Sequence, residues 1–231
     1  MGINIIAELG VNWGTIKNAC EMIRFSKECG CNYVKFQVFN EDTIVDSPIR
    51  EKLEPLILSE SDIETLRNCA DEHKIGFILT PMYMDAVDLA AKYADLIKIR
   101  YADHENKSLI DKALDTGKML LMSVPRRPLG PMLYHIRVRY MYCISRYPPE
   151  PEDLDLDRAV TFHGFSSHFP HTVFDLAYAV DRTYHECYIE KHVMLKFSKP
   201  IDHAVSITFE RLRSFIEDLK LIERLKRTRL E

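Results

Sequence analysis

The sequence predicts an α/β fold, a single-domain (β/α)8 TIM barrel, on three observations: eight short apolar runs, amphipathic helical stretches between them, and a length of 231 residues that suits one such barrel. The runs cover residues 3–8, 33–38, 76–80, 96–100, 119–123, 139–144, 162–166 and 187–192. Their apolar, β-branched character is that of parallel strands buried on both faces.

The intervening stretches follow in order. Ile16, Cys20 and Ile23 share one face of a first helix, and Ser59-x-x-Asp62 resembles a capping box ahead of Ile63, Leu66 and Ala70. The fifth βα unit is abbreviated, because Pro125-Arg-Arg-Pro-Leu-Gly-Pro131 holds three prolines and cannot form a full crossover helix. Leu212, Phe215, Ile216, Leu219 and Ile222 lie at helical spacing in a last helix that would close the barrel. No repeat, low-complexity tract or linker marks a second domain, so residues 1–231 read as one barrel.

Apolar residues make up 46% and charged residues 29%, which is ordinary globular usage. A net charge of -4 with both signs interspersed gives no basic face, so the expected partners are small metabolites and not nucleic acid. The six cysteines form no CxxC pair and read as reduced, buried thiols. With no visible targeting signal and no apolar run of membrane-spanning length, the expected location is the cytoplasm, away from membranes.

In such a barrel the βα loops gather polar side chains from the C-terminal strand ends into one pocket. Lys35 and Lys98 each sit inside an apolar run, where an unpaired ammonium would be costly. Each has a bland explanation, pairing with a structural Asp or Glu or snorkelling to the rim. Two together, with the hydroxyls of Thr80, Ser123 and Ser166 on other strands, favour a phosphate or carboxylate cradle.

His168 and His192 end the last two runs, adjacent in a barrel, so their imidazoles can converge on one ion. Two protein nitrogens suit a weakly held catalytic Mn²⁺ or Mg²⁺ better than structural Zn²⁺. His163, His171, His185 and His203 compete as ligands. Glu8 reads as a base or orienting group, or simply as a partner for a lysine. Tyr147 and Asp202 fall in loops where they would meet a polar second substrate, although loops also use these residues for turns.

The ordered set of motifs resembles the sialic acid synthase (N-acetylneuraminate synthase) family of phosphoenolpyruvate-condensing barrels. It consists of Ile-Ala-Glu8-Leu-Gly-Val-Asn12, Val-Lys35-Phe-Gln37, Leu-Ser59-Glu-Ser-Asp62 leading to Phe-Ile-Leu-Thr80-Pro81, Ile-Lys98-Ile, Tyr147-Pro148 followed by Glu-Asp-Leu, Gly164-Phe-Ser-Ser-His168, and Glu190-Lys-His192. The resemblance implies a divalent metal, Mn²⁺ first, on His168 and His192, and phosphoenolpyruvate on Lys35, Thr80, Lys98, Ser123 and Ser166. It further implies an amino sugar facing Gln37, Tyr147 and Asp202, with Glu8 as the catalytic carboxylate. The implied reaction adds phosphoenolpyruvate C3 to the aldehyde of N-acetylmannosamine or a related hexose, giving a nonulosonic 2-keto acid and phosphate.

Several positions depart from the family pattern. Trp13 replaces His, Tyr101 replaces Ser, Ser145 replaces Asn, Ser167 replaces Asp, and Ser123-Val-Pro-Arg-Arg127 replaces a Ser-Thr-Gly-Met loop. The family's small C-terminal antifreeze-like domain, whose arginine reaches the partner subunit's site, is expected to be absent, with Arg126 or Arg127 as a substitute. A homodimer follows by analogy alone. Two alternatives stand beside the synthase: a degenerate barrel that binds a phosphorylated ligand without catalysis, and another carbon–carbon lyase or aldolase using a Schiff-base lysine.

Overall fold

Eight parallel strands form a closed ring, each lying within two residues of an apolar run expected to hold it. They are β1 (Ile3–Gly10), β2 (Tyr33–Val38), β3 (Gly76–Pro81), β4 (Leu96–Ile99), β5 (Met119–Val124), β6 (Val138–Cys143), β7 (Gly164–Ser167) and β8 (Cys187–Met194). Each pairs with the next in sequence, and β1 pairs with β8 through Ile3↔Cys187 to Glu8↔His192, which closes the barrel. The structure, a computed structural model, describes residues 2–125, 135–182 and 186–227. β7 begins two residues later than expected because Phe162 lies in a turn, where its ring is nonetheless fully buried.

Helices cover the outside: α1 (Ile16–Cys29), α2 (Glu41–Ile44), α3 (Arg50–Leu53), α4 (Glu60–Glu72), α5 (Met84–Tyr93), α6 (Lys107–Asp115), α7 (Leu156–Ala159), α8 (Val173–Arg182) and α9 (Phe209–Arg227). α1 starts where the Thr15 side chain accepts from Asn18 N, and it stops at Gly30, whose φ of 101° a β-carbon would disfavour. α4 has the expected capping box, with Ser59 and Asp62 exchanging side-chain bonds to each other's backbone N–H and Ile63, Leu66 and Ala70 facing the barrel. Leu212, Phe215, Ile216 and Leu219 of α9 are buried, as the helical spacing demands. A two-residue strand, β9 (Ile207–Thr208), extends β8 just before α9. Most of the short connection expected between β5 and β6, residues 126–134 with Arg126 and Arg127, lies outside the described residues.

Two apolar cores result. The larger fills the layer between strands and helices. The smaller lies inside the ring, where Ile6, Ile78, Leu121, Met141 and Tyr188 meet and form a floor below the C-terminal strand ends. Among the described residues no helix is long and apolar enough to cross a membrane.

The cysteines correct one expectation. Cys20 of α1 and Cys69 of α4 form a disulfide, with Cα atoms 5.8 Å apart, while Cys29, Cys31, Cys143 and Cys187 are free and buried. A separation of 49 residues leaves no local spacing signal, and only the packing of α1 on α4 brings the pair together. Closing a loop of that length removes unfolded-chain entropy worth about 4 kcal/mol. Reduction is therefore expected to lower the urea midpoint measurably; an unchanged midpoint with and without dithiothreitol would show the bridge to be absent or silent.

Candidate active site

Along each strand the side chains alternate between the helix layer and the barrel interior, so residues two apart rise in steps above the floor. Ile6 is followed by Glu8 on β1, Tyr33 by Lys35 and Gln37 on β2, Leu96 by Lys98 on β4 and Arg100 just beyond its end, and Leu121 by Ser123 on β5. Met141 is followed by Cys143 on β6, and Tyr188 by Glu190 and His192 on β8. Ser166 and His168 face inward from β7. Above the floor these side chains line a cavity of about 240 Å³ at the C-terminal mouth, with Tyr101, Ser145 and Tyr147 on its rim.

At the deeper level two ammonium groups meet two carboxylates. Lys35 Nζ lies 2.8 Å from Glu8 Oε2 and 3.4 Å from Glu190 Oε1, and Lys98 Nζ lies 2.8 Å from Glu190 Oε2. Ser166 Oγ donates to Glu190 Oε1 at 2.8 Å, and Gln37 Nε2 donates to Glu8 Oε1 at 3.0 Å. Burial opposes ionisation of Glu190, but the two ammoniums outweigh it and hold the carboxyl well below its usual range. Burial likewise pulls on Lys35, whose pKa is nevertheless raised by Glu190 and Glu8. Each lysine therefore has the carboxylate partner that the bland explanation requires, and both ammoniums also face one cavity. Ser123 Oγ is buried on its wall and, among the described residues, makes no hydrogen bond to a nitrogen or oxygen.

A glycine keeps this level open. Gly10 has a φ of 44°, and a β-carbon there would come within 2.6 Å of Glu8 Oε1 and 3.1 Å of Gln37 Nε2.

At the upper level the two imidazoles stand side by side, with ring centroids 5.4 Å apart and the ring planes tilted by 60°. His168 Nδ1 donates to Ile144 O at 2.8 Å, which leaves the Nε2 lone pair free. Burial, and then the charge of His192, push the His168 pKa down to about 3, so the ring is neutral at ordinary pH. His192 Nδ1 faces Asp202 Oδ2 at 3.3 Å, and its Nε2 meets the Tyr147 hydroxyl at 2.9 Å. Burial would raise the Asp202 pKa, but its bond to His192 lowers it. Two imidazoles oriented by a carbonyl and a carboxylate, that of His168 neutral, are a donor set that fits a divalent cation. Among the described residues no three His, Cys, Asp or Glu side chains are grouped to hold an ion, so an ion on this pair leaves most of its coordination to water and substrate.

The structure thus brings together Glu8, Lys35, Gln37, Lys98, Ser123, Tyr147, Ser166, His168 and His192 at one cavity. Thr80 stands behind it, 1% exposed and 3.4 Å from Lys35 Nζ, and Asp202 reaches it through His192. Of the competing histidines, His163 accepts from Tyr140 N away from the cavity, His203 sits in an exposed turn, and His185 lies outside the described residues. Glu190, which binds both lysines, was quoted in a sequence motif without a role; its place two residues before His192 is the signal that could have assigned one. Cys143 and Arg100 follow the same step of two. Trp13 does not reach the central cavity: it is buried, donates to Gly10 O at 2.9 Å, and borders a separate cavity with Asn12 and Ile201. Ser167 points outward to Lys191, whereas Tyr101 does line the central cavity and packs on His104.

Comparison with known proteins agrees with the fold. An uncharacterized protein of Methanocaldococcus jannaschii is 29% identical over 239 residues, covering 96% of this chain and 71% of that one. The N,N'-diacetyllegionaminic acid synthase of Legionella pneumophila is 26% identical over 256 residues, covering 94% and 71%. The crystal structure of an N-acetylneuraminic acid synthetase from Leptospira borgpetersenii superposes with a TM-score of 0.86 at 22% identity, covering 97% of this chain and 85% of that one. The NeuB family model matches residues 22–229, which take in every strand but the first, and the chain belongs to the NeuB family.

Proposed function

We propose that the chain is a phosphoenolpyruvate-dependent synthase that joins the enol carbon of phosphoenolpyruvate to the aldehyde of an amino sugar, N-acetylmannosamine or a related modified hexose. The observation that carries this reading is the two-level cavity, with paired ammoniums at its base and paired imidazoles above them. The sugar acid synthases named among its relatives support the same class.

Lys35 and Lys98 would bind the phosphate and carboxylate of phosphoenolpyruvate, with Ser123 and Ser166 supplying hydroxyl bonds. Glu190 then acts as a resident counter-charge, keeping both lysines ionised and aimed before an anionic substrate arrives. Glu8, tied to Lys35 and Gln37 between the two levels, would take the proton from the water that adds at C2 before phosphate leaves by C–O cleavage. Tyr147, exposed at the rim, and Gln37 would orient the sugar, with Asp202 fixing His192. A divalent ion, Mn²⁺ or Mg²⁺, held by His168 and His192 would supply a Lewis acid at the aldehyde oxygen.

The test is direct. With Mn²⁺, phosphoenolpyruvate and a panel of acetamido hexoses, the protein should release phosphate and form a 2-keto acid with at least one acceptor. Phosphoenolpyruvate binding without release in any mixture would leave the binding barrel as the better reading. Trp13, a departure from the family pattern, stands outside the cavity and so gives no support to that barrel.

A further inference from the structure

Lys191 follows Glu190 on β8 and so points out of the barrel, into the layer facing α8. Apolar side chains are expected there. Lys191 is instead 0% exposed, and its ammonium meets four oxygens: Asp175 Oδ2 at 2.8 Å, Ser167 Oγ at 3.1 Å, Phe169 O at 2.6 Å and His171 O at 3.0 Å. Stability alone is a poor reason for this pair, since apolar residues of similar volume often replace a buried ion pair without loss.

The identity of the acceptors points elsewhere. Two are main-chain carbonyls of the segment that leaves β7 immediately after His168, one on each side of Pro170. The third, Ser167, immediately precedes His168, and Asp175 lies in the first turn of α8, where that segment ends. His192, the next residue on β8, projects to the opposite face and meets His168 inside the barrel. One strand therefore carries one imidazole on its inner face and, on its outer face, a clamp on the backbone that carries the other.

We propose that Lys191, held by Asp175, is a positioning residue that fixes the backbone flanking His168 and thereby sets the spacing of the His168–His192 pair. The inference rests on the reading of that pair as the metal site. By pinning the loop from outside, the clamp makes the two nitrogens preorganised without occupying any of the space a substrate needs.

The test compares Mn²⁺ binding, followed by electron paramagnetic resonance, in the wild-type chain, Lys191→Met/Asp175→Asn and Asp175→Asn. The double variant keeps most of the side-chain volume and leaves no buried charge unpaired. It is expected to bind Mn²⁺ about 10–100-fold more weakly, the usual effect of losing a group that orients a ligand. Its metal-free thermal midpoint, and its metal-free phosphoenolpyruvate affinity by calorimetry, should stay near wild type, which a general loss of structure would not allow. Asp175→Asn leaves the Lys191 ammonium buried without its counter-charge and should lower the thermal midpoint, but it retains the bonds to the two carbonyls and should keep more of the Mn²⁺ affinity than the double variant. A double variant that binds Mn²⁺ as tightly as wild type, or a single variant that loses as much as the double, would overturn the inference alone. A wild-type chain that binds no divalent cation would overturn the metal reading and this inference with it.

Discussion

Replacing His168 by asparagine should leave a folded protein that releases phosphate on the order of 10²–10³-fold more slowly in the presence of Mn²⁺, because Lewis-acid stabilisation is worth several kcal/mol and each 1.36 kcal/mol is tenfold in rate. The fold should survive. His168 is neutral at ordinary pH, and the amide of asparagine can still donate to Ile144 O as Nδ1 does. His192→Asn should behave alike, since its amide can reach Asp202. Initial rates of phosphate release and metal-free melting curves make the measurement; undiminished rates in both variants would remove the imidazole pair from the mechanism.

The same residue shapes the acid response. His168 has a folded pKa of about 3 against an ordinary 6.5, so between those values the unfolded chain binds the proton and the folded chain does not. Its contribution to stability is intact above pH 6.5 and is lost as the pH falls towards 3. His168→Asn should therefore lose less stability than wild type between neutral and mildly acid pH.

Lys98→Met is expected to destabilise the protein by about 3–5 kcal/mol at neutral pH, the usual effect of stripping one partner from a buried ion pair. Glu190 would keep the Ser166 hydroxyl and, as a counter-charge, Lys35 at 3.4 Å, already shared with Glu8. In wild type the folded pKa of Glu190 lies below its ordinary 4.5, so that part of the stability is present above pH 4.5 and fades as the pH drops further. Without Lys98, burial dominates and the folded pKa moves up, so acid now relieves the folded state by protonating Glu190. The deficit of the variant should be largest at pH 7 and should narrow on acidification. Urea titrations at both ends decide it, and a deficit that is small or constant with pH would mean that the ion cluster is not what holds this level of the barrel.

The parallel strands were legible because burial on both faces makes them near-continuous apolar runs, and the polar residues interrupting those runs marked the site. Lys35, Lys98, His168 and His192 could be placed at strand ends with no coordinates at all. What was missed had no local signature. The Cys20–Cys69 bridge depends on the docking of two helices far apart in sequence. The outward turn of Ser167 and the separate burial of Trp13 depend on packing in three dimensions, so the two family departures looked alike in sequence to that of Tyr101, which does face the cavity. Glu190 is the exception, with a local clue in its step of two from His192, but only closure of the barrel, which turns β2, β4 and β8 towards one cavity, shows that it serves both lysines.

The apolar floor of Ile6, Ile78, Leu121, Met141 and Tyr188 closes the cavity from below, so that among the described residues it opens at the C-terminal strand ends. Traffic through it must run last in, first out. A molecule seated on Lys98, which is 1% exposed, has to enter before anything settles beside Tyr147, which is 44% exposed at the mouth. For a two-substrate reaction in such a shaft the sequence of arrivals is set by depth: the anion bound at the bottom queues first, and a premature tenant at the mouth locks it out.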